Sequence, residues 1–312
     1  MKANDRFNNQ PPASGWENHA TGCVASKDGT TIGYHQLGHG PALVLVHGAM
    51  ESAQSHQELA QALASDFSVY VPDRRGRGHS GPHGEDYGLA KEVEDLDALL
   101  TETGARNIFG VSSGGLISLQ AAASLPTIDR IALFEPPLSI NGSAPTAWLR
   151  RYDQEMAKGK LASALVTGMK GAQMGPPIFN FVPRPLLQLL TRVAMAGEDR
   201  NARAGTVPMR ALAPTLHYDG RVVLEMGGTL EGFSALRAEV LLLGGSRSPA
   251  YLKVALDALE SVLPHVQRVE LAGLNHGASG NRNRGGQPER VAQELRRFFS
   301  RPKRVARVCA PH

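Results

Sequence analysis

The sequence predicts an α/β protein, a mostly parallel sheet flanked by helices with a helical cap inserted into it. Two observations carry this. Short runs nearly continuous in apolar residues alternate with longer segments of helical period, the pattern of strands buried on both faces and joined by crossover helices. Between Pro136 and about Ala238 the alternation stops, and helical segments follow one another, punctuated by Gly and Pro, with no strand pattern.

Taken in order, residues 1–18 are polar, rich in Asn, Gln and Pro, and are expected to form a disordered arm. Residues 22–26 and 31–37 flank the turn Lys27-Asp28-Gly29 and read as an antiparallel hairpin at the sheet edge. The buried strands are expected at 42–46, 67–71, 107–111, 130–134, 240–243 and 266–271. Leu252, Leu256, Leu259 and Leu263 recur at helical spacing, with Ser248 placed as N-cap and Pro249 as first helical residue. After Pro288, the residues Val291, Leu295, Phe298 and Phe299 make one apolar stripe of a last helix. The organisation that follows is a core of 19–136 and 237–300, a helical cap of 137–236, and a basic tail of 301–312. Ligands of parallel sheets bind outside the carboxyl ends of the strands, so the cap is expected to roof the site.

Composition narrows the partners. The 312 residues are 42% hydrophobic and 20% charged, enough for a sizeable core, and the net charge of +4 is spread out except in the tail, which speaks against nucleic acid. Cys23 and Cys309 lie near opposite ends with no CxxC pair and no metal-ligand spacing, so structural or surface thiols are expected, and neither metal nor cofactor. No apolar run is long enough to span a bilayer and the first residues lack a signal-peptide core, which makes a cytoplasmic location the expectation.

The chemistry centres on Gly110-Val111-Ser112-Ser113-Gly114, between a strand and a helical run. Such a turn strains the serine backbone and lifts its hydroxyl above the sheet, and the positions two before and two after it must be glycine. Centring the turn on Ser113 would put Val111 where glycine is needed. Ser112 is therefore the candidate nucleophile, and the Ser113 N–H a candidate oxyanion donor. His47-Gly48-Ala49-Met50 follows the strand 42–46, where Ala49 can bring a second N–H to the same spot and His47 orients the loop. His276 lies on a loop between the last strand and the last helix. Imidazole titrates near neutrality, which suits a general base.

Together these residues resemble the α/β-hydrolase superfamily, from about His19 to Phe299. The stretch Asp73-Arg74-Arg75-Gly76-Arg77-Gly78-His79-Ser80 is similar to its D-x-R-G-x-G-x-S loop, in which Asp73 would be a structural anchor. One departure concerns the acid. The superfamily usually carries an aspartate just after the strand that here ends Leu243-Gly244-Gly245, but Ser246-Arg247-Ser248-Pro249 follows, with no carboxylate before Asp257. Some members place the acid after the preceding strand, where Glu135 stands. Glu135 is thus the candidate acid; the alternative is that it guides the chain into the cap, with Arg247 as a competing partner.

Serine in the elbow, where the related haloalkane dehalogenases and epoxide hydrolases have aspartate, favours acyl transfer. Met156, Met169, Met174, Met195, Met209 and Met226 fall in the cap and Met50 beside the oxyanion loop; with Phe179 and Phe181 they point to an apolar pocket, or else to plain core packing. The expected function is a serine hydrolase acting on a small, apolar carboxylic ester, thioester or lactone through an acyl-enzyme on Ser112. The alternatives are a C–C bond hydrolase or lyase at the same site, or a ligand-binding protein with little catalysis should Glu135 be idle. A third expectation is an interaction module using Arg301, Lys303, Arg304 and Arg307.

Overall fold

The computed structural model describes residues 19–175, 179, 181–201 and 207–302; the arm at 1–18, Cys309 and the tail beyond Pro302 lie outside them. Each apolar run read from the sequence becomes a strand of one sheet: β1 (Ala20–Ala25), β2 (Thr31–Leu37), β3 (Ala42–Val46), β4 (Ser68–Pro72), β5 (Asn107–Val111), β6 (Arg130–Phe134), β7 (Glu239–Gly245) and β8 (Val266–Leu271). The spatial order is β1-β2-β4-β3-β5-β6-β7-β8. Strand β2 pairs antiparallel with both β1 and β4, every other pair is parallel, and β2 alone therefore runs against the rest.

Successive side chains of a strand point to opposite faces, so one sheet feeds two cores. Val44, Val46, Ile108, Ile131, Leu133, Val240 and Leu242 face one of them, together with apolar residues of α2 (Leu89–Thr103), α3 (Ser113–Ser124) and α9 (Ala250–Val262). Their neighbours Leu43, Leu45, Phe109, Ala132, Phe134, Leu241 and Leu243 face the other, with α1 (Gln57–Leu63) and α10 (Pro288–Phe299). The expected stripe of α10 is buried in full. The start of α9 corrects the sequence reading: Pro249, with ψ at 144°, is still extended, so it is the N-cap and Ala250 the first helical residue. Ser248 thus stands one residue too early to cap, and its buried hydroxyl has no hydrogen-bond partner among the described residues.

Between β6 and β7 lie α4 (Leu149–Ala157), α5 (Leu161–Gly171), α6 (Arg184–Arg200), α7 (Met209–Leu212) and α8 (Leu216–Glu225), with no strand among the described residues. The insertion has small cores of its own, around Tyr152 and Leu149 and around Leu165 and Met195. It joins the main core through Val222 of α8 and the following Met226 and Phe233. Among the described residues no helix is long and apolar enough to cross a membrane.

Candidate active site

Ser112 sits between β5 and α3 with φ 53° and ψ −122°, a backbone state that L-residues rarely adopt. Its N–H donates to the Phe134 carbonyl at 2.9 Å, and its carbonyl accepts from the N–H groups of Gly115 and Leu116. The flanking glycines are a steric necessity. A Cβ on Gly110 would collide with Ser118 and the Gly114 carbonyl, and one on Gly114 with the carbonyls of Val46 and His47. Ser113 is buried, and its hydroxyl donates to Asp219 at 2.9 Å while Arg74 donates to it at 3.1 Å.

The loop after β3 is held by His47. Its Nδ1 lies 3.0 Å from the Gly48 carbonyl and its Nε2 accepts the Arg74 N–H at 3.2 Å, which requires a neutral ring. Burial and the nearby Arg77 and Arg74 push its pKa down to about 3, so His47 orients the loop and is unfit to serve as a base at neutral pH. The Gly48 N–H is taken up by Glu51 at 2.8 Å. The N–H groups of Ala49 and Ser113 meet no acceptor among the described residues.

Glu135 follows β6 with φ 48° and is wholly buried. Its Oε1 accepts the Gly245 N–H at 2.6 Å, and its Oε2 lies 2.7 Å from His276 Nδ1. A carboxylate is acceptor-only, so Nδ1 carries a hydrogen, and in the neutral ring the lone pair is on Nε2. A Cβ on Gly244 would stand 3.2 Å from Oε1 and press on Leu256, so glycine there leaves the Glu135 carboxylate its space. Arg247 is not among the partners of Glu135; its own N–H donates to the Leu274 carbonyl at 2.8 Å.

Asp73 anchors its loop as expected, accepting the N–H groups of Ala53 and His79, both at 2.9 Å. The arginines beside it do more than the sequence reading assigned them. Arg74 donates twice to Glu92 and once to Asp219 of α8, and Arg77 donates to the other Asp219 oxygen at 2.6 Å. The two guanidinium groups hold the Asp219 carboxyl down at about 2 against its burial. Glu51 and His56 were likewise passed over, although their place just beyond His47-Gly48-Ala49 was a signal. Among the described residues, one group could hold a metal ion: His35, Asp73 and His79, with candidate ligand atoms within 4.8 Å of one another.

Ser112, Ser113, Ala49 and His276 line one cavity of about 500 Å³, within the range of small-molecule sites. The insertion supplies most of its wall, including Trp148, Leu165, Met169, Met174, Phe179 and Met209. The methionines therefore divide. Met50, Met169, Met174 and Met209 line the cavity, whereas Met195 and Met226 are buried core, and Phe181 is 86% exposed.

A family model described as "Alpha/beta hydrolase family" matches residues 43–294. A pimeloyl-[acyl-carrier protein] methyl ester esterase of Xanthomonas oryzae is 26% identical over 265 residues, covering 85% of this chain and 97% of that protein. The crystal structure of an alpha/beta hydrolase from Sphaerobacter thermophilus superposes with a TM-score of 0.72 at 32% identity, over 89% of this chain and 100% of that one. An esterase from a Rhodococcus species shares the fold, with a TM-score of 0.63 at 22% identity over 90% and 98% of the two chains. With its eight-stranded sheet, its elbow at Ser112 and a family match over most of its length, the chain belongs to the alpha/beta hydrolase family.

Proposed function

We propose that this hydrolase cleaves a small, apolar carboxylic ester, or the corresponding thioester or lactone, through an acyl-enzyme on Ser112. The observation that carries the reading is the 2.7 Å contact of buried Glu135 with Nδ1 of His276, which lines the same cavity as Ser112. Glu135 fixes the tautomer, so His276 Nε2 takes the Ser112 proton as the hydroxyl attacks the acyl carbon, and later returns it to the leaving group. The carbonyl oxygen becomes negative and is received by the N–H groups of Ala49 and Ser113, with the N-terminus of α3 adding to the field. Water then repeats the sequence to release the acid. The nearly apolar wall favours an uncharged acyl group, and residues 137–236 act as a cap over the core of 19–136 and 237–300. The name of the Xanthomonas relative, an ester hydrolase, points the same way.

Turnover of a panel of chromogenic esters tests this. Ser112→Ala is expected to reduce turnover to background with the circular dichroism spectrum unchanged. Glu135→Gln keeps the bond from Gly245 but loses control of the imidazolium, and kcat should fall by about 10³–10⁴. Equal turnover by the wild type and Ser112→Ala rejects the acyl-enzyme.

A further inference from the structure

We infer that Glu51 and His56 are positioning residues, a part-buried ion pair that shapes the oxyanion loop and keeps it receptive to negative charge. The inference rests on Ser112 being the nucleophile. Glu51 comes three residues after Gly48, and its Oε2 accepts both the Gly48 N–H at 2.8 Å and the His56 Nε2–H at 2.9 Å. A Cβ placed on Gly48 would stand 3.0 Å from Ser112 Cβ and 3.2 Å from that same carboxylate oxygen. Glu51 is thus one glycine away from the reacting serine, and it lines the cavity.

The second ring nitrogen of His56, Nδ1, lies 3.0 Å from the Ser279 carbonyl. Both nitrogens face acceptors, so both carry hydrogen and the ring is an imidazolium. Burial opposes both charges, yet the pairing holds Glu51 below the usual carboxylate range and His56 above that of a free imidazole. Arg284 is the other charge nearby, with its Nη1 on Ser55 Oγ at 2.9 Å.

Two consequences follow for the reaction. Glu51 occupies the Gly48 N–H and leaves that of Ala49 free to meet an oxyanion. Ser279 lies three residues beyond His276, so His56 also ties the oxyanion loop to the loop of the base. By Coulomb's law, an uncompensated negative charge about 6 Å away would slow formation of an oxyanion by about 100-fold at an effective dielectric near 20. The imidazolium of His56 cancels that repulsion.

The test compares kcat and KM on one chromogenic ester for the wild type, Glu51→Gln, His56→Gln and the double variant, with Ser112→Ala as control. His56→Gln should lower kcat by about 10- to 100-fold with KM within about twofold. Glu51→Gln, whose amide oxygen still accepts the Gly48 N–H, should lose less than about fivefold, and the double variant should resemble it, so that removing the carboxylate rescues the loss of the histidine. The same loss from His56→Gln in both backgrounds, or a change in KM alone, overturns the inference. Nitrogen-15 NMR of the intact enzyme gives a readout that needs no variant: His56 should be doubly protonated at pH 7, and a neutral ring overturns the pair. Activity surviving in Ser112→Ala would instead remove the nucleophile on which the inference rests, a result separable from the state of His56.

Discussion

Five non-glycine residues among those described have positive φ, and three of them, Met50, Ser112 and Glu135, follow the carboxyl ends of β3, β5 and β6. Each such residue costs on the order of 1–3 kcal/mol and persists only where its surroundings hold it. Their concentration at one end of the sheet marks the site independently of any motif. Around Ser112 the holding is done by absent side chains, which yields a sharp contrast. Gly114→Ala drives a methyl group into the carbonyls of Val46, the last residue of β3, and of His47 just after it, and should destabilise the fold by about 3 kcal/mol or more in urea denaturation. Gly197→Ala, in α6 with nothing within 4 Å of the added carbon, should stabilise it by about 0.5–1 kcal/mol. The glycines about Ser112 were legible because their spacing is local. The choice between His276 and Arg247 as the partner of Glu135 stays open in the sequence, since it depends on a positive φ at Glu135 and on room left by Gly244, more than a hundred residues away.

At the scale of elements, the sheet was readable because residues buried on both faces leave unbroken apolar runs, and observed strand ends differ from the expected ones by one or two residues, as at β4 and β7. The insertion was located but its helices were not, for a physical reason. Helix α5 serves two surfaces at once, packing Ala162 and Ala164 into small local cores while Leu165, Val166 and Met169 form the cavity wall, so no single stripe stands out. That wall should set the length of acyl chain accepted. Met169 is half-buried and flexible, and Met169→Trp puts a bulkier, stiffer group into the cavity. The kcat/KM for an octanoyl ester should drop by about 10-fold or more relative to an acetyl ester. An unchanged ratio would mean that long acyl chains do not pass this part of the wall.

Across the whole molecule, the insertion is tied to the core by a buried charge network that no local pattern announces. Its partners come from the loop after β4, from α2 and from α8: Arg74 with Glu92 and Asp219, Arg77 with Asp219, and Tyr87 donating to Glu92 at 2.7 Å. The same arginine and aspartate hold the Ser113 hydroxyl, next in the chain to Ser112. The network makes a statement about acid. Asp219 has its pKa lowered from 3.8 to about 2 by Arg77 and Arg74, and Glu92 is also held below its usual range, chiefly by Arg74. A carboxyl with a depressed folded-state pKa contributes stability above its unfolded pKa, and loses that contribution as pH falls through the folded value. The contribution of Asp219, about 2 kcal/mol, is therefore complete at neutral pH and lost between about pH 4 and pH 2. Thermal melts across that window should show Tm falling with acid. Asp219→Asn should flatten the fall while lowering stability at pH 7 by about 3–5 kcal/mol, because two buried guanidinium groups lose a shared partner. An acid slope in Asp219→Asn equal to that of the wild type would place the sensitivity elsewhere.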